Sequence, residues 1–411
     1  MMTYRPYESE RDKHHAMRIW QEVNWLHGDR ADELDRFIVA CGGGWVAEVK
    51  GEAECLVLKS AGDLRYLEET LPFSCITGVT TSRVARKLGL AGRLTAVAVA
   101  HEAMAGAAVA GLCMFEQGYY DRLGFGTGTY EHTVTFNPGA LVVDVPFRVP
   151  ERISKAQYAE IHDCRLRRRR GHGSVSLAPP EFTLGRMEMD GGGYGLGYRD
   201  EASGAISHMV WWGNEKAYHG PLHVRYLLYQ TGEQLLELLA LLKAQSDQIL
   251  SVRVFEPADI QLQDLIRQPF SQRDLTAGGS HAVQTTSCAW WQMRICDLAA
   301  CLAATHLEGP TVRLNLALRD PIDTHLPDDV PWRGLTGEYV VTMGPESTCE
   351  RGMDPSLPVL EASVNAFTRL WLGVRPASGL AVTDELNGPA ELLAKLDRLL
   401  RLPRPSPDWD M

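Results

Sequence analysis

The amino-acid sequence predicts an α/β chain, in the broad sense that includes α+β domains, folded around more than one hydrophobic core. Two observations carry that expectation. Short strand-like apolar runs alternate with stretches of helical period from the first residues onward. The 411 residues also exceed what a single core comfortably holds. With 45% hydrophobic and 23% charged residues, the composition is that of a folded globular protein.

Along the chain, a strand over residues 3–7 leads to an amphipathic helix carrying Met17, Ile19, Trp20 and Val23. Strand-like runs follow at residues 45–49, 55–59 and 73–81, then an Ala-rich helix, a strand at 109–115 and another at 130–136. Turn residues punctuate this first segment at Asn137-Pro138-Gly139 and between Pro146 and Pro150. The second segment opens near Arg152 with a helix. It continues with a strand pair ending at Trp211-Trp212, a Leu-rich helix over 232–250 and a strand at 252–255. Its element order repeats that of the first segment, so a degenerate duplicate is expected. The third segment starts near Ala282, with a helix over 295–306, strands at 312–318 and 337–343, and a helix over 391–402. It ends in a proline-rich stretch from Leu402 to Met411 that cannot be helical. The expected domains are therefore 1–148, 149–281 and 282–411.

A net charge of −11 argues against nucleic acid as a partner, because phosphate contacts need clustered Lys and Arg. It fits a cationic substrate better. The basic run Arg165 to Arg170 reads as a solvated helix end or a subunit contact. Nine cysteines without a CxxC pair read as reduced thiols rather than a metal site. His219 and His223 flank Gly220-Pro221 and cannot share a helical face, so no metal is expected there. Gly191-Gly192-Gly193-Tyr194-Gly195 reads as a hairpin strand, not a dinucleotide loop. The first residues lack an apolar signal region, and residues 95–115 are a poor membrane span because they contain His101 and Glu102. A cytoplasmic protein with no membrane partner is the expectation.

Residues 76–126 carry the chemistry. A strand ending at Val79-Thr80-Thr81 runs into Arg86-Lys87-Leu88-Gly89-Leu90-Ala91-Gly92, which opens a helix. Free N–H groups at a helix start, with the helix dipole behind them, suit a pyrophosphate, and Gly89 permits close backbone approach. Alone, the same residues also read as an ordinary helix start with solvated basic side chains. Farther on come Phe115-Glu116 and then Tyr119-Tyr120-Asp121-Arg122-Leu123-Gly124-Phe125-Gly126.

The order strand, basic-x-x-Gly-x-Ala, helix, followed by a tyrosine and a Gly-Phe turn, resembles the acetyl-CoA motif of the GNAT acetyltransferases. The whole chain resembles the enhanced intracellular survival (Eis) acetyltransferases. That wider likeness rests on Glu116 before the tyrosine turn, on Ile260-Gln261-Leu262-Gln263-Asp264-Leu265-Ile266, and on the Pro-rich ending with Trp409.

The resemblance implies tandem GNAT domains, each a mixed central sheet flanked by helices, the second inert, followed by a sterol-carrier-protein-like domain. It implies acetyl-CoA as co-substrate, no metal, a hexamer, and direct acetyl transfer to a primary amine in a ternary complex. Carried over by position, Val79, Thr80 and Thr81 pair their backbone with the pantetheine arm. Arg86, Lys87, Leu88, Gly89, Leu90, Ala91 and Gly92 cradle the pyrophosphate, and Phe115 and Glu116 touch the cofactor again. Tyr120 protonates the departing thiolate, while Tyr119 is packing. The terminal carboxylate of Met411 takes the amine proton, with Asp408 and Asp410 as alternatives and Trp409 as the tail's anchor. Two departures, Arg83 in place of a proline and Gly92 in place of an arginine, imply weaker cofactor binding. No Glu lies in the strand before Thr81, which leaves the terminal carboxylate its role. Small-molecule and peptide amines (aminoglycosides, polyamines, lysine side chains, peptide N-termini) are all compatible acceptors. The rival expectation is a non-catalytic ligand- or lipid-binding protein that kept the fold.

Overall fold

Residues 2–189, 193–213, 221–269 and 282–411 are described by the structure, a computed structural model. Backbone contacts divide the chain into two compact units, and these cut across the expected domain boundaries. One gathers Met1–Thr129, Gly171–Pro179 and Ala289–Met411; the other holds Tyr130–Arg170 and Pro180–Cys288. Strand pairing is responsible. The strand Glu131–Phe136, expected with the first segment, pairs within the second unit. The third segment supplies Gln284–Cys288 to that sheet and Trp291–Ile295 to the sheet of the first unit.

In the first unit, strands β1 (Met2–Pro6), β2 (Gly44–Val49), β3 (Glu52–Tyr66), β4 (Glu69–Thr81) and β5 (Val109–Cys113) lie side by side. Trp291–Ile295 and β6 (Gly126–Thr127) follow β5, and Val175–Leu177 pairs with β3. Neighbours from β1 to β4 are antiparallel, whereas β4 and β5 are parallel and joined by helix α3 (Leu90–Met104). A parallel pair needs such a crossover. Alternation along the strands supplies both faces. Ala47, Cys55, Val57 and Ile76 pack under Leu90, Leu94 and Val99 of α3. Val46, Leu56 and Leu58 face Ile19 and Trp20 of α1 (Ser9–Glu22) and Leu34 and Ile38 of α2 (Ala31–Ala40). The charged helix α2 is not among the elements the sequence predicts.

The third segment adds a five-stranded sheet to this unit, in the order Thr348–Arg351, Gly337–Met343, Val312–Arg319, Val359–Ser363, Leu386–Asn387. Its helices include Val364–Trp371 and Ala390–Leu399. The helix expected over 295–306 is shorter, because a strand runs through Ile295. The helix proper, Leu298–Ala303, starts where Asp297 Oδ1 accepts from the Ala300 N–H at 3.0 Å.

The second unit is a seven-stranded sheet built mainly from residues 131–255 and closed by Gln284–Cys288. Helix Gly232–Lys243, started by a Thr231–Gln234 capping box, buries Leu235, Leu238, Leu239 and Leu242 against Val134, Phe136 and Val252. It ends seven residues short of the expected 232–250. The basic run is solvated only in part: Arg167 and Arg169 are exposed, as expected of a solvated helix end. Arg165 and Arg168 are buried, with the Arg165 guanidinium 4.3 Å over the Tyr226 ring and bonded to Thr183 Oγ1 at 2.9 Å. Gly193–Arg199 is a strand, as expected for the glycine stretch, while 190–192, His219 and Gly220 lie outside the described residues. Among the described residues no group of three or more metal-ligating side chains occurs, and no helix is long and apolar enough to cross a membrane.

Within the second unit, burial pushes the Glu237 carboxyl up, but hydrogen bonds from Arg148 and His208 outweigh it and hold it at about 2. A depressed carboxylate contributes stability above its ordinary value of 4.5 and loses it as pH falls through about 2. Glu237→Gln should therefore lower the thermal midpoint at neutral pH, with the deficit shrinking steadily below pH 4.5. A deficit of the same size at every pH would contradict this.

Candidate functional site

The site is built around an irregularity in β4. Leu56 pairs with Thr80 but Leu58 with Thr77, so Gly78 and Val79 together oppose Val57 in a β-bulge. Gly78 adopts φ +61°, and a Cβ there would lie 2.8 Å from Leu58 Cγ, so both backbone and space require glycine. On the other edge, β4 and β5 pair from Phe73↔Val109 to Cys75↔Gly111. Among the described residues no ladder pair joins them beyond that point. The strands part, and residues 76–81 keep an unpaired edge facing the end of β5.

From Thr81 the chain turns toward α3. Arg83 donates its backbone N–H to Glu22 Oε2 at 2.5 Å, and its side chain reaches the Glu22 carbonyl at 3.2 Å. A proline could not make the first of these bonds, which accounts for its absence at this position. Lys87 at φ +67° and Gly89 at φ +76° then bend the chain into Leu90. Gly89 has no side chain to cap the helix, so the first amides of Leu90, Ala91 and Gly92 are left for another acceptor. Arg86, Lys87 and Leu88 are exposed around them, and a Cβ on Gly89 would meet nothing within 4 Å. The site residue there is constrained by its positive φ rather than by crowding within the protein.

Tyr120 begins the single 3-10 turn Asp121–Leu123, its carbonyl accepting from Leu123 N at 2.9 Å and Phe125 N at 3.3 Å. Its ring is buried among Cys55, Leu90, Leu94 and Phe125. Burial pushes its phenol well above the ordinary range, reinforced by Tyr119, Cys55 and Glu116, so its proton stays on at neutral pH. Cys55 accepts from Thr81 Oγ1 at 3.3 Å, which brings the tyrosine pair to the open end of β4. Tyr119 is half-buried and stands edge-on to Tyr120 at 4.9 Å. Phe115 and Glu116 are exposed just past the end of β5, Phe115 at 84%.

Arg122, which the motif does not mark as a site residue, stands beside the tyrosine pair. Its Nε donates to the Tyr119 carbonyl at 3.0 Å and its guanidinium lies 4.2 Å over the Tyr119 ring. Its Nη2 stands 3.8 Å from where a Cβ of Gly92 would be. A cation is thus present beside the first turn of α3 although residue 92 is glycine. Burial, together with the charges of Arg122 and Arg93, lowers the His325 imidazole below its ordinary value. The only sequence signal was an arginine two residues beyond Tyr120.

The proline-rich ending is ordered. Thr129 Oγ1 donates to the Pro405 carbonyl at 2.6 Å, Ser406 N to His172 O at 3.0 Å, and Val175 N to Pro407 O at 2.8 Å. The prolines, which have no N–H, sit where only carbonyls are asked for. Pro405 and Pro407 are buried and Trp409 is 4% exposed. Met411 N then reaches Cys113 Sγ, the last residue of β5, at 3.4 Å. The open edge of β4, the uncapped start of α3, a protonated tyrosine and the end of the tail therefore belong to one unit and converge on the gap between β4 and β5.

No protein-family model and no curated protein matches the chain. Solved structures do. A conserved protein of Enterococcus faecalis V583, described as a probable N-acyltransferase, is 17% identical with a TM-score of 0.78 over 98% of both chains. A GCN5-related N-acetyltransferase from Anabaena variabilis is 14% identical with a TM-score of 0.77, again over 98% of both. Eis1 from Mycobacterium abscessus is 17% identical with a TM-score of 0.77 over the whole of both chains. From end to end, then, this chain has the α/β fold of the GCN5-related N-acetyltransferases.

Proposed function

We propose that this protein is an N-acetyltransferase that takes acetyl-CoA as co-substrate and a primary amine of a cationic molecule as acceptor. The observation that carries the reading is the parting of β4 from β5 beside an uncapped helix start and a buried, protonated tyrosine. An elongated ligand with an amide-bearing arm and a diphosphate fits that combination. A receptor would gain nothing from a proton donor at the same point.

When bound, acetyl-CoA supplies an activated acetyl thioester. The amides of Leu90, Ala91 and Gly92, with Arg86, Lys87 and Arg122 around them, would hold the diphosphate. The open edge at Val79, Thr80 and Thr81 would pair with the arm and present an N–H toward the thioester carbonyl. Phe115 and Glu116 border the same ligand. As the amine nitrogen bonds to the acetyl carbon and the carbon–sulfur bond breaks, Tyr120 gives its proton to sulfur, and the proton that nitrogen sheds on becoming an amide restores the phenol. An alkylammonium has a pKa of about 10.4, so the amine must lose a proton before it attacks. The carboxylate of Met411 takes that proton, directly or through water. Support comes from the docked tail, the Met411–Cys113 contact and the absence of a Glu among residues 69–81 other than Glu69 itself. The resemblance to Eis acetyltransferases further supports a cytoplasmic hexamer. It also supports a second, inert GNAT copy within residues 149–281 and a sterol-carrier-like fold for residues 282–411.

Thiol release from acetyl-CoA, measured with a panel of polyamines, aminoglycosides and lysine peptides, tests the reading. Tyr120→Phe should lower turnover roughly 10²-fold, as for loss of a general acid, with acetyl-CoA affinity kept. Equal turnover in the two proteins would remove Tyr120 from the mechanism. Extending the chain past Met411 should abolish most turnover while acetyl-CoA still binds in calorimetry. Normal turnover in the extended protein would move the base elsewhere, with Asp408 and Asp410 next in line.

A further inference from the structure

Tyr120 stands on one isolated 3-10 turn, which has too few hydrogen bonds of its own to hold a side chain in one direction. Side chains from the far end of the sequence hold that turn. Asn365 Nδ2 donates to the Asp121 carbonyl at 2.6 Å and to the Phe125 carbonyl at 3.0 Å, tying its two ends together. Gln292 Nε2 donates to Asp121 Oδ1 at 2.6 Å and to Thr127 Oγ1 at 2.9 Å. Arg294 donates to the Leu123 carbonyl from below. Its guanidinium is fully buried and is itself held by Asp320 Oδ2 at 2.6 Å. Packing leaves no slack. A Cβ on Gly124 would fall 2.7 Å from Arg294 Nη1, and one on Gly126 would fall 2.6 Å from the Asn365 carbonyl.

We infer that Asn365 is a positioning residue for Tyr120, acting with Gln292 and Arg294, so that the third segment of the chain is a working part of the acetyl-transfer site. This rests on the reading of Tyr120 as the proton donor. Three side-chain donors converge on the backbone and flank of one short turn that is largely buried, so its carbonyls take their partners from the protein rather than from water. What the clamp adds is a fixed position for the buried phenol relative to the open end of β4. A proton donor misplaced by about 1 Å can lose up to about 10²-fold in rate.

Asn365 is the member to change, because it is partly exposed and uncharged, whereas Arg294 belongs to a buried ion pair whose loss threatens folding. Asn365→Ala should lower kcat roughly tenfold or more and leave the KM for acetyl-CoA near its normal value, since the start of α3 is untouched. Asn365→Ser, which keeps one donor, should recover part of the loss and serves as the second variant should the alanine protein fold poorly. In a Tyr120→Phe background, Asn365→Ala should have no further effect on kcat. Wild-type kcat in Asn365→Ala would overturn the inference. So would an equal drop with and without the Tyr120 hydroxyl, because the loss would then not pass through that group. Wild-type turnover in Tyr120→Phe alone would instead bring down the proton-donor reading, and this inference with it.

Discussion

Beyond Cys75 and Gly111 the parallel ladder between β4 and β5 stops, and the backbone polar groups of residues 76–81 that point toward β5 lose the partners a sheet would give them. Most of what surrounds the site follows from that break. Buried amides and carbonyls are costly without partners, so a sheet opened in its middle must either admit solvent or offer its edge to something that hydrogen-bonds like a strand. The bulge at Gly78 and Val79 lies on the same stretch of β4, so the strand bends where it loses its neighbour. Antiparallel β3 stays paired with β4 to Thr81, and Trp291–Ile295 stays paired with β5 to Cys113. Each side of the opening is thereby held by its outer neighbour.

That second support is why the first unit is assembled from separated pieces of chain. Without Trp291–Ile295, β5 would be an edge strand along its whole length. With it, β5 is flanked on the side away from the opening, and β6 is brought in after the tyrosine turn. Residues 171–179 and the proline-rich ending extend the same logic. Val175–Leu177 pairs with β3, the tail lies along residues 172–175, and Met411 arrives at the end of β5. A separate carrier domain joined by a linker would not need these contacts, so the division of the chain by contacts ignores the order of its segments.

What could be read from the sequence was whatever depends on neighbours along the chain. The strand at 73–81, the loop from Arg86 to Gly89 and the helix it opens are local patterns of alternation, charge and glycine, and they stand close to where they are expected. The strand 252–255 and the strand 337–343 were equally local. Pairing partners were not legible, because a strand's period does not say which edge it will meet. Residues 291–295 therefore do not read as a strand, the helix is expected from Ile295, and Glu131–Phe136 reads with the first segment although it pairs in the sheet of the second unit. Arg165 and Arg168 misled for a related reason. A basic run looks solvated until Tyr226 and Thr183 are known to lie beside it. Arg122 shows only as an arginine two residues beyond Tyr120, and Gln292, Arg294 and Asn365 give no signal at all, since their partners are carbonyls and carboxyls that only the fold brings near.

The central claim is that the opened edge of β4 and the uncapped start of α3 together take the acetyl donor. Backbone hydrogen exchange followed by mass spectrometry, with and without saturating acetyl-CoA, reads both directly. The account predicts slower exchange in residues 76–81 and 88–93 at once, with the second unit unchanged. Unaltered exchange in both stretches at millimolar acetyl-CoA, or protection confined to the second unit, would contradict it.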